Sequence, residues 1–213
     1  MRAVLKQWGA GVATVAALLF VGCNSSSTPA ASDTAASKPA AEAKAVPVTG
    51  KTAYWPVYKS AMAWSPDVLV TKIAAREVPG FKNGEGKAAM WEVTFASPSK
   101  NQMRVDQYAI ATSLPDVHKG ATAGLPGAWG GQTRDAMPVQ ISASTVDSDA
   151  AYQAAAADAA DWLKKNPGKE LTDVELGATA KIPQGFWYFV WGDEKSGGYR
   201  EVVDATTGKV LKK

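Results

Sequence analysis

Trp187-Tyr188-Phe189-Val190-Trp191 and Trp91-Glu92-Val93-Thr94-Phe95 are the two stretches that decide the fold. Each combines aromatic and β-branched residues, which predicts a strand. Each also follows a helix-forming segment that ends in tryptophan, at Trp64 in the first half and at Trp162 in the second. The matched tryptophans are 27 residues apart in the first half and 25 in the second. This self-similarity predicts two copies of one structural unit.

The predicted unit is a helix followed by a three-stranded antiparallel meander whose apolar face the helix covers. The fold class is therefore α+β. In each unit we expect the helical tryptophan to meet the tryptophan of the middle strand, so that four indoles fill the interior of the protein. A tryptophan cluster that stacks on a ligand is the competing interpretation.

Hydrophobic spacing and turn residues place the elements within these units. Apolar steps of three and four residues predict a helix over 52–66, with Pro56 in its first turn and Pro66 at its end. A second helix over 150–165 follows an Asp-Ser-Asp cap at 147–149. Strands are predicted over 68–73, 87–96, 102–110, 137–142, 170–180, 185–192, 199–204 and 209–211. Residues 113–135 hold five glycines and two prolines and predict a long irregular connection.

The second half ends in a recognisable hairpin. Residues 150–211 close with Tyr199-Arg200-Glu201-Val202-Val203-Asp204-Ala205-Thr206-Thr207-Gly208-Lys209-Val210-Leu211. This segment resembles the PepSY domain, whose final hairpin reads roughly V-x-V-D-A-x-T-G-x-V-L, whereas the first half matches only in outline. The resemblance implies an extracytoplasmic, non-catalytic module of a kind implicated in restraining peptidases. On turn chemistry alone, Asp204 accepts the hydrogen bonds of the turn and Gly208 supplies a positive φ.

The start of the chain has the pattern of a secretory signal. Arg2 and Lys6 precede an uncharged apolar run over 9–21, which is too short for a permanent membrane-spanning helix. Leu18-Leu19-Phe20-Val21-Gly22-Cys23 resembles the lipobox of bacterial lipoproteins, with Phe20 where that family usually has Leu. The resemblance implies cleavage before Cys23 and a diacylglycerol on its sulfur. The alternative is an ordinary secretory signal with an incidental cysteine.

The lipobox resemblance places the protein in the cell envelope, held on the lipid bilayer through acylated Cys23. Asn24 stands where an Asp commonly retains such proteins at the inner membrane, so the outer membrane facing the periplasm is favoured. Residues 24–48 are dominated by Ser, Thr, Ala and Pro, which is typical of a flexible spacer. We predict a signal peptide over 1–22, a lipidated linker over 23–50, a first unit over 51–135 and a second unit over 136–213.

The charge balance gives no nucleic-acid footprint. The chain has 23 Lys and Arg against 20 Asp and Glu, and 21 basic residues remain when Arg2 and Lys6 are left out. No cluster of more than two Lys or Arg occurs in the sequence. We therefore expect no nucleic acid among the partners.

Few residues are left to carry catalysis. His118 is the only histidine, so a histidine-based zinc site lacks partners. Cys23 is the only cysteine, and the lipid implied by the lipobox resemblance would occupy its sulfur, so no thiol nucleophile is expected. Asp147-Ser148-Asp149 lacks the further ligands and the glycine of a calcium loop and is interpreted as a helix cap. We expect no enzyme activity, no cofactor and no bound metal.

Two functions of different classes remain. The first is a PepSY-type regulatory module that binds an envelope protein or peptide, a peptidase among them, through an edge strand or through the 113–135 loop with His118 and Trp129. The second is a glycan-binding or enzyme-accessory lipoprotein that uses exposed Trp55, Trp129 and Trp191 as sugar platforms. Exposure of these three rings in one open groove would favour the second function.

Overall fold

The structure is a computed structural model that describes residues 45–193, 195 and 197–212. Its main element is an eight-stranded antiparallel sheet. In chain order the strands are β1 (Val48–Thr49), β2 (Leu69–Arg76), β3 (Lys87–Ala88), β4 (Met90–Ser97), β5 (Gln102–Ala109), β6 (Gly120–Thr122), β7 (Gly127–Ala128), β8 (Leu171–Thr179), β9 (Ile182–Trp191) and β10 (Tyr199–Asp204). The helices are α1 (Gly50–Trp64), α2 (Ser148–Asp158) and α3 (Ala160–Lys165). The large sheet has the order β10-β9-β8-β2-β4-β5-β6, with β7 also paired to β5, and β1 pairs separately with β3. The predicted α+β class, with antiparallel strands, is confirmed.

The two halves of the chain meet inside this sheet. The first half contributes α1 and the meander β2-β4-β5, and the second half contributes α2, α3 and the meander β8-β9-β10. The first strands of the two meanders pair with each other, Ile73 opposite Leu176 and Ala74 opposite Glu175. The sequence left open whether the halves form one sheet or two. They form one continuous sheet.

One face of the sheet packs against the helices because apolar side chains recur at every second strand position. Trp91, Val93 and Phe95 on β4 lie in the same buried cluster as Trp187, Phe189 and Trp191 on β9. The helices add the buried side chains of Ala53, Tyr54, Val57, Ala61, Ala151 and Ala155. Burial of each large side chain stabilises the fold by about 1.5–3 kcal/mol.

The tryptophans of the two middle strands contact each other. The ring centroids of Trp91 and Trp187 are 6.2 Å apart with an interplanar angle of 75°, an edge-to-face pair. Trp64 instead lies against the guanidinium of Arg104, and Trp162 stacks on Tyr199. The predicted contacts of Trp64 with Trp91 and of Trp162 with Trp187 are therefore wrong.

The direction of the helices explains the difference. α1 begins against the indole pair, since a Cβ placed on Gly50 would lie 2.6 Å from Cη2 of Trp187 and 3.4 Å from Cζ3 of Trp91. Trp64 is the last residue of this 15-residue helix, and a rise of 1.5 Å per residue puts it about 21 Å from that start. Trp64 thus lies at the far end of α1, and Trp162 lies on α3, a separate helix after the one that begins beside the indole pair.

The chain entering each helix is fixed by one indole. Nε1 of Trp91 donates to the carbonyl of Val48 at 2.9 Å, two residues before α1 begins. Nε1 of Trp187 donates to the carbonyl of Val146 at 3.0 Å, two residues before α2 begins. Both polar edges of the buried rings are therefore satisfied, as buried donors require.

The amino-terminal ends of α1 and α2 meet beside the indole pair. The buried hydroxyl of Ser148 accepts a hydrogen bond from the Gly50 amide at 2.9 Å. Oδ1 of Asp147 accepts from the amides of Lys51, at 3.0 Å, and Ser148, at 2.7 Å. The predicted cap at 147–149 is confirmed for α2, and Asp147 also serves α1. Its negative charge lies at the positive ends of two helix dipoles.

The turn after β10 has the predicted chemistry. Oδ1 of Asp204 accepts from the amides of Thr206, at 2.8 Å, and Thr207, at 2.7 Å, and Gly208 has a φ of 71°. Burial of Asp204 works to raise the pKa of its carboxyl, but hydrogen bonds from Gln184 and from these two amides outweigh it, and the pKa is lowered.

Several local predictions are wrong. α1 begins at Gly50 rather than at residue 52, so Pro56 lies within the helix and not in its first turn. Residues 137–142 form no strand, because the segment bonds to two different strands in turn: its amides at 137 and 139 donate to the carbonyls of Ala178 and Val70. Residues 209–211 contribute only a single bridge, and the 113–135 connection contains β6 and β7.

Candidate binding surface

The sheet face that points away from the helices is the candidate functional surface. It is centred on a hollow of about 500 Å³ that spans β2, β4, β5, β8 and β9. We call it the open face, defined by the lining residues Lys72, Arg76, Glu92, Thr94, Met103, Val105, Glu175 and Phe186. These residues alternate along their strands with the core residues, so the same strand geometry that buries the indoles presents them on the opposite side.

Two ion pairs cross the centre of the open face. Nζ of Lys72 lies 3.5 Å from Oε2 of Glu175 on β8, and Nε of Arg76 lies 2.8 Å from Oε2 of Glu92 on β4. The two cations of β2 therefore each pair with a flanking strand, one in each half of the chain. All four side chains keep between 30 and 41% of their surface exposed, so a docking partner can reach them.

Glu175 has the most perturbed environment of the four charged groups. Burial raises the pKa of its carboxyl above the usual range, and the neighbouring charge of Asp173 adds to that effect. The ammonium of Lys72 acts in the opposite direction. A carboxylate whose charged form is disfavoured by burial is stabilised by each nearby positive charge.

Apolar side chains border these charges. Met103 and Val105 flank them on β5 and Phe186 on β9, and Val105 keeps 39% of its surface exposed. Arginine, methionine and aromatic side chains, which are enriched at protein–protein interfaces, therefore all occur on the open face.

The edges of the sheet are less open than its face. The outer edge of β10 is occupied over residues 202–204 by the chain's own last described residues, since the Asp204 amide donates to the carbonyl of Lys209 and the Leu211 amide to that of Val202. Val202 and Leu211 also border a second hollow of about 680 Å³. At the other edge, β5 is covered by the short strands β6 and β7. Short or covered edges disfavour the addition of a further strand.

The predicted binding residues do not form one site. Trp191 is 2% exposed and packs against Tyr152 and Tyr199, so its expected role as an exposed platform is wrong. It falls on the helix-facing side of β9, two positions from Phe189. Trp55 is 55% exposed on α1, and Trp129 is half-buried in the loop after β7, where its amide donates to Asn101. His118 is exposed in the loop between β5 and β6. Cys23 lies outside the described residues.

A buried ion pair on the helix-facing side is structural. Nη2 of Arg104 lies 2.8 Å from Oδ2 of fully buried Asp106 and also donates to Ser60 on α1. Oδ1 of Asp106 accepts from the amide of Gly124, which fixes the loop after β6. Burial raises the pKa of Asp106, while the Gly124 amide and Arg104 oppose the rise. The pair ties α1, β5 and this loop together.

Sequence reasoning missed the open face. The alternation of Lys72 and Arg76 with Ile73 and Ala75 along β2 is a signal that these charges share the side opposite the core. Their acidic partners could not be assigned, because Glu175 lies about a hundred residues away and pairs only through the junction of the two halves.

Within residues 45–193, 195 and 197–212, no group of three or more His, Cys, Asp or Glu is placed to hold a metal ion. A search of the helices in the same part of the chain finds none with the length and apolar character needed to cross a bilayer. No family model matches the chain, and no curated protein or solved structure matches it either.

Proposed function

We propose that this chain is a non-catalytic, lipid-anchored lipoprotein of the bacterial cell envelope that binds a protein or peptide partner on its open face. The observation that carries the proposal is the asymmetry of the sheet. One face holds the helices and the indole core, whereas the other presents two ion pairs and an apolar border around a hollow of about 500 Å³. Both halves of the chain contribute to that surface.

The anchor in this proposal is Cys23. Its support is the lipobox-like stretch 18–23 and the absence of any other cysteine with which it could pair. Two or more acyl chains hold a protein stably on a membrane, whereas one gives only marginal binding. With Asn24 after the cysteine, the proposed location is the outer membrane facing the periplasm.

The module type in this proposal is a tandem of two PepSY-like units. Support comes from the Asp204–Gly208 turn of the second half and from the helix-then-meander order of both halves. The matched hydrogen bonds from Trp91 and Trp187 to the residues before their helices add a second correspondence. A regulatory partner such as a peptidase follows from the PepSY resemblance, and no catalytic role is assigned to the chain itself.

Site-specific photocrosslinking tests the binding surface. A photoreactive benzoylphenylalanine replaces Val105 on the open face or, as the matched control, Ala157 on the outer side of α2; both residues are exposed. In envelope extract, we expect Val105 to give a discrete protein adduct that Ala157 does not give. The same adduct from both positions, or no adduct from Val105, would contradict the proposal.

A charge swap tests whether the partner recognises the charged side chains of the open face. In the double variant Lys72→Glu with Glu175→Lys, the ion pair is kept but its direction is reversed. We expect the Val105 adduct to fall by about tenfold, because misplaced charges at an interface oppose binding. An unchanged adduct yield would show that the Lys72–Glu175 pair plays no part in recognition of the partner.

A further inference from the structure

The outer side of α1 carries an unusual set of side chains. Lys51, Trp55, Lys59 and Met62 fall within an arc of about 80° when successive residues are placed 100° apart around the helix. Trp55 and Met62 keep 55% and 39% of their surface exposed. The ring of Trp55 packs edge-to-face against that of Tyr54, with the centroids 4.9 Å apart. An aromatic ring, a thioether and two cations therefore lie on one side of the helix.

The charge on α1 has one sign only. The helix contains two lysines and no acidic residue. The second helix on the same face of the sheet differs, since the exposed residues of α2 are Ala150, Gln153, Ala157 and Asp158. α1 therefore combines exposed lysines with exposed large apolar side chains, whereas α2 has neither.

The position of α1 in the chain brings it close to the proposed anchor. α1 begins at Gly50, five residues after the first described residue. Cys23 precedes Ala45 by 22 residues, a length that reaches at most about 75 Å when fully extended. The proposed lipid on Cys23 would keep α1 within reach of one bilayer, at a distance limited by this tether.

We propose that the outer side of α1 lies on the surface of the anionic bilayer to which the chain is anchored. Trp55 and Met62 enter the boundary between headgroups and acyl chains, where amphipathic aromatic rings are favoured. Lys51 and Lys59 contact the lipid phosphates. Because the helices and the open face are on opposite sides of the sheet, this orientation turns the open face towards the periplasmic partner. The proposal takes its anchor from the lipidation proposed above.

Quenching of tryptophan fluorescence by brominated lipids tests this orientation. The lipidated chain is reconstituted in vesicles of phosphatidylglycerol and brominated phosphatidylcholine. We expect a quenched fraction of the emission in the wild type that disappears in Trp55→Phe. Trp129→Phe is the matched control, since it removes a half-buried tryptophan outside α1, and the quenched fraction remains. Quenching that Trp55→Phe leaves unchanged, or its absence in the wild type, would overturn the proposal.

A second measurement separates this surface from the lipid anchor. The Cys23→Ala chain, which has no thiol to acylate, is mixed with the same vesicles, and its partition is measured by sedimentation. We expect the double variant Lys51→Gln with Lys59→Gln to partition to the vesicles about tenfold more weakly than the Cys23→Ala chain. This difference should be smaller at high salt, because salt screens the attraction between lysines and lipid phosphates. Leu114→Ser, which alters a loop residue about as exposed as Met62, is expected to leave partition unchanged. Equal partition of both variants would contradict the role of α1 even if Cys23 proves to be lipidated.

A second copy of the chain is the competing occupant of this surface. Light scattering of the Cys23→Ala chain in solution decides between the two. A monomer is the result expected here, whereas a dimer that Trp55→Ser dissociates would overturn the membrane assignment.

Discussion

Asp67 joins three segments through one carboxylate. Its Oδ1 accepts from the hydroxyls of Ser65, at 2.6 Å, and Ser97, at 2.8 Å, and its Oδ2 accepts from the Ser99 amide at 2.7 Å. Ser65 caps the end of α1, Ser97 ends β4 and Ser99 lies in the turn before β5. Ser65 and Ser97, whose hydroxyls donate to Asp67, are both buried. The single side chain therefore holds the exit of the helix against the hairpin that the helix covers.

Asp67 also makes the stability of the fold depend on pH. The hydroxyl of Ser65, the amide of Ser99 and the hydroxyl of Ser97 hold the pKa of its carboxyl well below the ordinary value of 3.8. A lowered pKa means that the stabilisation is complete above the ordinary value and is lost as the pH falls below it. We expect Asp67→Asn to lower the melting temperature at neutral pH, and the difference from wild type to shrink below about pH 4.

Thermal unfolding followed by circular dichroism between about pH 7 and pH 2 measures this effect. Asp116→Asn, in the exposed loop before β6, serves as the control and is expected to follow the wild type at every pH. A constant difference between wild type and Asp67→Asn across the range would show that the carboxylate charge is unimportant.

For the tryptophans, burial could be predicted from the sequence but the contacts between the rings could not. The burial of Trp91 and Trp187 follows from their strand positions between apolar neighbours. Their mutual contact does not, because it depends on the pairing of β2 with β8, which brings the two meanders side by side. Spacing along the chain suggested helix-to-strand contacts within each half. It carries no information on which end of a helix lies over a given strand position.

At the scale of elements, the junction where α1 and α2 begin depends on a few specific hydrogen bonds. Ser148 is fully buried and supplies the acceptor for the Gly50 amide, while Asp147 supplies the acceptor for the next amide of α1. Two positive helix ends that face each other would repel if these acceptors were missing. An unsatisfied buried amide costs about 1–3 kcal/mol.

Gly50→Ala tests the closeness of this junction. Alanine is up to about 1 kcal/mol more favourable than glycine inside a helix, so propensity alone predicts stabilisation. The new Cβ would lie 2.6 Å from Cη2 of Trp187, a rigid ring with no exposed surface. We expect the free energy of unfolding to fall by about 1–3 kcal/mol, because the packed core must shift.

Urea unfolding at constant pH gives this free energy. The matched control is Gly130→Ala, at a position where a Cβ meets no atom within 4 Å, and it should change stability by less than about 0.5 kcal/mol. A stabilised Gly50→Ala would contradict the described contact with Trp187.

The elements that sequence predicted best are those with a clear apolar period. β2, β4, β5, β8, β9 and β10 and all of the helical residues over 52–64 were predicted within a few residues of their bounds. The strand predicted over 137–142 is absent although Met137, Val139 and Ile141 alternate as in a strand, because the Met137 amide donates to β8 and the Val139 amide to β2. Alternation reports which side chains are covered, and it does not report whether a neighbouring strand runs alongside.

At the scale of the whole molecule, the single sheet gives the protein two unlike sides. The helical side carries the Trp55 surface and the side chains that bury the indoles, and the open face carries paired charges from both halves. The sequence contained the composition of each surface but not their separation, since that depends on which strands are neighbours. The proposal that the helical side contacts the bilayer and the open face binds the partner depends on this arrangement.

Native-state hydrogen exchange tests the central claim, that the two halves fold as one sheet around a shared core. Val203→Ala removes a fully buried side chain from β10, at the far edge of the second half, and should cost about 2 kcal/mol. If the halves are one cooperative unit, the slowest amides of β4 and β9 lose protection by the same free energy. Loss of protection in β9 with unchanged protection in β4 would contradict the account.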